Sequence, residues 1–88
     1  MSCFADPNVY AYVYDAIAAL MHELEKVKAR LHPNDYPLWS WVKQLETDLR
    51  ILYDDIKTWK PYEVICYGEF FTRIRRISRE IDAIKQKI

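Results

Sequence analysis

The densest chemistry in this chain is a run of arginines, Arg73, Arg75, Arg76 and Arg79. A guanidinium presents a planar fork of N–H donors that matches the oxygen pair of a carboxylate or phosphate. The run therefore suits a docking site for a phosphate, a nucleotide or an acidic protein surface. It also suits ordinary helix electrostatics. Cations stabilise a helix C-terminus, Glu69–Arg73 and Arg76–Glu80 are spaced i,i+4, and Arg79–Asp82 is spaced i,i+3. Arg75 has no acidic residue at either spacing, so it is expected to be the most available of the four.

Catalytic chemistry is harder to find. There is no GxSxG, P-loop or HExxH motif, and one Gly in 88 residues leaves no glycine-rich phosphate loop. His22, with Asp15 before it and Lys26 after it, falls opposite the apolar face of its helix. Exposed groups there seldom acquire the shifted pKa that acid–base work needs. His32 lies in a proline-rich turn and reads as a cation at a helix C-terminus. No ligand set for a metal lines up. The chain is expected to be non-enzymatic, with no catalytic residue, metal or cofactor. Cys3 and Cys66 lie far apart without a CxxC motif, which favours two reduced thiols in a cytoplasmic protein over a single disulfide.

The elements that position these residues follow from periodicity. Apolar residues recur in steps alternating three and four, from Tyr10 through Val13, Ile17, Leu20, Leu24 and Val27 to Leu31. Leu38 through Val42, Leu45, Leu49, Leu52 and Ile56 to Trp59 repeats the pattern. So does Tyr67 through Phe70, Ile74, Ile77, Ile81 and Ile84 to Ile88. A repeat of 3.5 residues keeps one helix face against its neighbours, whereas a strand would alternate by two. Pro7 after Asp6, the turn His32–Pro37, and Pro61 punctuate the three segments. The sequence predicts a single all-α domain over 1–88. It is an up-down-up three-helix antiparallel bundle with coiled-coil-like seams and helices near 7–31, 37–59 and 62–87. Gly68 would then fall inside the third helix, where it marks a kink, a close crossing or room for a partner.

The composition of 51% hydrophobic and 15% aromatic residues excludes a disordered or low-complexity chain. No apolar run approaches a membrane span, and thirteen basic and thirteen acidic side chains argue against general nucleic-acid binding. That neutrality conceals an order: residues 1–44 sum to −1, residues 45–72 to −3 and residues 73–88 to +4. Large apolar side chains also fall off the seams. Tyr12, Tyr14, Trp39, Ile51 and Phe71 lie roughly 95–135° from them at 100° per residue. They either fold down over a thin core or form an interface, for which Trp, Tyr and Arg are the favoured types.

Two functions fit these features. The first is a protein-interaction module, an adaptor or inhibitor docking through aromatics and arginines, with size alone suggesting the short inhibitors that phages make against host machinery. The second is a homo-oligomeric binding module for an anionic ligand such as a nucleotide, with aromatic rings stacking the base.

Overall fold

The computed structural model describes residues 3–88, and within them three helices pack into an all-α bundle. The order is β1 (Cys3–Phe4), α1 (Pro7–Arg30), α2 (Tyr36–Thr58), β2 (Ile65–Cys66) and α3 (Tyr67–Lys85). Asp6 starts α1 because its carboxylate accepts from the Asn8 amide at 2.9 Å, while Pro7 fills a position whose amide would go unused. Leu31 then turns extended, and Pro33 cannot rejoin the helix. Asp35 caps α2 by accepting from the Leu38 amide at 3.3 Å. Thr58 closes the last turn of α2, its hydroxyl donating to the Asp55 carbonyl at 2.7 Å.

Side-chain contacts set the directions. Early α1 meets late α2, where the Tyr10 hydroxyl donates to the Ile56 carbonyl, and late α1 meets early α2 through Lys28 and Glu46. Trp41 of α2 reaches Glu80 of α3, and Asp48 reaches Arg76. Neighbours in sequence thus run in opposite senses. Between α1 and α3, Tyr12 meets Phe71 and Glu23 meets Lys85, which is the same sense. The α1 N-terminus, the α2 C-terminus and the α3 N-terminus consequently gather at one end of a 45 × 20 × 16 Å body.

The periodic positions make the core. Val13, Ile17, Leu24, Val27 and Leu31 are buried from α1 and its cap, Leu38 through Ile56 from α2, and Tyr67, Ile77, Ile81 and Ile84 from α3. Each fully buried Ile or Leu contributes roughly 1.5–3 kcal/mol of transfer free energy. Trp59 leaves the seam because α2 has already ended at Thr58, and it is 41% exposed.

The third helix departs from the sequence reading. It starts at Tyr67, not near residue 62, and residues 59–66 form a connection instead. Pro61 removes an amide, the Glu63 amide closes a turn on the Lys60 carbonyl, and the chain then extends into β2. Gly68 is accordingly the second residue of α3, with a negative-side φ, and interrupts no helix interior. The expected mid-helix kink has no place there.

A second departure concerns the cysteines. β2 pairs antiparallel with β1, placing Cys3 opposite Cys66 and Phe4 opposite Ile65, and the two cysteines are joined as a disulfide. The expectation of two reduced thiols is therefore corrected. The bond closes a loop with a sequence separation of 63, for which chain entropy gives about 4 kcal/mol of stabilisation. Ile65, outside every periodic series, is the buried member of this pairing.

Candidate functional site

The four arginines do not form one site. Arg73 is held along its own helix by Glu69 at 2.6 Å, and Arg76 spans to Asp48 of α2 at 3.3 Å while meeting Glu80 of its own helix at 3.6 Å. These two line a groove between α2 and α3 with Asp48, Ile51, Leu52 and Ile77. Arg75 and Arg79 are exposed on the outer face of α3 and have no carboxylate within 4.0 Å among the described residues. The expected Arg79–Asp82 pair is absent there. Both flank a shallow groove shared with Thr72, Arg76, Glu80 and Ala83. An exposed guanidinium without a partner remains free to take an anion.

The apolar candidates scatter more widely. Tyr12 is 67% exposed and meets the half-buried Phe71 edge-on, with ring centroids 6.4 Å apart. Tyr14 is tied down instead: its hydroxyl shares a 2.8 Å hydrogen bond with that of Tyr53, joining α1 to α2. That bond, with some burial, raises the Tyr14 phenol above its ordinary pKa. Trp39 donates its indole N–H to the His32 carbonyl at 3.1 Å and so fastens the α1–α2 turn. Ile51 is half exposed on α2, in the groove beside Arg73 and Arg76. His32 serves the same turn, its Nδ1 accepting from the Asn34 amide at 3.1 Å. Among the described residues no group of three His, Cys, Asp or Glu side chains converges.

Most of the large exposed apolar side chains lie near the disulfide end, and of these only Tyr12 stands among the interface residues expected from sequence. Phe4, Tyr12, Trp59, Tyr62 and Val64 all lie at the disulfide end and are exposed. Tyr62 at 71% and Val64 at 65% stand furthest out. The sequence places Trp59 in a seam and puts Tyr62 and Val64 within the expected third helix. The available signal was their density around Pro61, three large apolar residues in a segment that Pro61 breaks from the seam on either side.

Beneath this surface runs a chain of rings. Phe4 lies over Tyr67 at 5.1 Å, Tyr67 meets Phe71 at 6.4 Å, and Phe71 meets Tyr12. Tyr67 is wholly buried, yet its hydroxyl has no hydrogen-bond partner among the described residues. Leaving such a group unpaired costs about 1–3 kcal/mol. Burial, then the nearby Asp6 carboxylate, pushes its phenol above the ordinary tyrosine value. Alongside, Tyr10 donates to the carbonyls of Ile56 and Trp59 at 3.1 and 3.2 Å, and the Lys57 ammonium sits 4.9 Å above the Tyr53 ring.

No protein-family model, curated protein or solved structure matches this chain. The residues themselves must carry the functional reading. Among the described residues no helix is long and apolar enough to cross a membrane.

Proposed function

We propose that the chain is a non-enzymatic protein-interaction module, an adaptor or inhibitor that docks on another protein through its disulfide end. The observation that carries this reading is the grouping of Phe4, Tyr12, Trp59, Tyr62 and Val64 as exposed apolar side chains at one end of a small bundle. Single exposed apolar residues are ordinary, whereas a group of them marks a contact surface. The Cys3–Cys66 bond fixes the backbone beneath the group, which lowers the ordering cost of binding. It also favours an oxidising compartment over the cytoplasmic location expected from sequence.

A photo-crosslinking amino acid placed at Tyr62, and separately at Arg79, tests the reading in extracts of the cells that make the protein. Position 62 should yield an adduct with one other protein. Unlabelled chain should compete that adduct away, and the Tyr62→Ala/Val64→Ser variant should not. Adducts from position 79 alone, or with the chain itself alone, would overturn it.

A second reading rests on Arg75 and Arg79, the unpaired guanidinia beside the α3 groove: a homo-oligomer that binds an anionic ligand such as a nucleotide. Nucleotides at millimolar concentration should then raise the melting temperature. Arg75→Glu should abolish that rise while shifting the unliganded melting temperature by no more than a few degrees. An absent rise sinks this reading and leaves the first intact.

A further inference from the structure

The N-terminal arm ahead of α1 is held to the bundle by very little besides one covalent bond. β1 and β2 contribute two residues each, far below what makes an isolated strand pair stable. Cys3 and Ala5 are exposed, and Phe4, itself 36% exposed, lays its ring against Tyr67. Asp6 and Pro7 start α1 from the residues just after the arm, so α1 keeps its cap wherever the arm goes.

Closing the arm also has a cost. The Phe4 ring lies against Tyr67, whose buried hydroxyl is unpaired among the described residues, an arrangement that water reaching it would relieve. Both sulfur-bearing residues are within reach of a reductant. Cys3 and Cys66 are exposed, and Cys66 lines an open surface cavity with Asp55, Glu69 and Arg73.

From these observations we infer that Cys3–Cys66 is a reducible latch, holding the arm as a strap over Tyr67, and that its reduction frees the arm and opens an aromatic site floored by Tyr67 and walled by Phe71. The reductant class is a dithiol. Its first thiolate attacks one sulfur of the Cys3–Cys66 bond and expels the other as a thiolate, which takes up a proton. Its second thiolate then attacks the mixed disulfide, releasing the remaining cysteine, which is protonated in turn. Two electrons and two protons pass to the protein, and the reductant leaves as a disulfide. The latch stands whether or not a partner docks at this end.

Tyrosine nitration by tetranitromethane, mapped peptide by peptide, tests the latch on the oxidised chain and on the Cys3→Ser/Cys66→Ser variant. In the oxidised chain the exposed Tyr12, Tyr36 and Tyr62 should react and Tyr67 should be spared. In the variant Tyr67 nitration should rise at least about tenfold, as expected for a locally opened segment. Tyr14, bonded to Tyr53 across α1 and α2, should react at the same rate in both, and the helical circular dichroism should be unchanged. Continued protection of Tyr67 in the variant would overturn the latch. So would a rise at Tyr14 in step with Tyr67, because the bundle itself would then be opening.

Discussion

The two ends of this bundle are closed by different physics. At the disulfide end, three helix termini, the arm and the 59–66 connection meet over rings: Phe4, Tyr67, Phe71 and Tyr12 in one file, Tyr10, Tyr14 and Tyr53 in another. At the opposite end, ion pairs and indole hydrogen bonds join the helices. Lys85 meets Glu23 at 2.6 Å, Lys28 meets Glu46 at 3.3 Å, and the indoles of Trp39 and Trp41 bond the His32 carbonyl and Glu80. Exposed ion pairs contribute little and weaken with salt. A covalent bond across a long loop restricts the unfolded chain instead, and salt leaves it unchanged. The lesson is that the end carrying the exposed apolar group is also the end whose geometry is covalently fixed.

Breaking the disulfide should have the largest effect. Cys3→Ser is expected to lower stability by about 4 kcal/mol, which for a domain of this size is a fall of roughly 16–32 °C in melting temperature. Scanning calorimetry under non-reducing conditions checks it. At the other end, Trp41→Phe removes the 2.9 Å hydrogen bond to the Glu80 carboxylate and should cost about 1.5 kcal/mol in urea unfolding.

Tyr67→Phe sharpens the contrast because its sign is reversed. Deleting the unpaired hydroxyl should leave the protein unchanged or up to about 1 kcal/mol more stable, while the same change at a bonded phenol such as Tyr10 should destabilise. Lys85→Ala should be smallest, a shift of a few degrees at most that disappears at high salt. Lys85 holds the Glu23 carboxyl below its ordinary pKa. Their pairing therefore stabilises above the ordinary carboxylate range and is lost as pH falls through the lowered value. Acid should accordingly lower the wild-type melting temperature more than that of the Lys85→Ala variant.

How legible each part was depends on how local its cause is. Helix positions and the core could be read from sequence, because burial of one face imposes its own period. Val13, Ile17, Leu45, Leu49, Ile77 and Ile81 could be named without coordinates. The start of α3 could not. Residues 62–66 continue apolar and polar types without a break in character, and only the pairing of Ile65–Cys66 with an arm some sixty residues away draws them into an extended strand. A two-residue strand has no period to detect.

The same limit hid the candidate site. Tyr14, Trp39 and Phe71 stood off the seams by phase, yet Tyr14 and Trp39 have polar tips that found partners on neighbouring elements, at Tyr53 and His32. Helical phase cannot register such contacts. Arg75 needed no partner, and its availability could be read directly from the spacing of the acids around it. Tyr62 and Val64 became exposed because the helix expected to carry them begins later.

The division between the two ends is tested most directly by amide hydrogen exchange on the full chain, with and without a dithiol reductant. Reduction should strip protection from the Ile65–Cys66 strand while Leu38–Leu45 and Ile77–Ile84 keep theirs. Uniform loss of protection along all three helices, or none at Ile65–Cys66, would contradict the division.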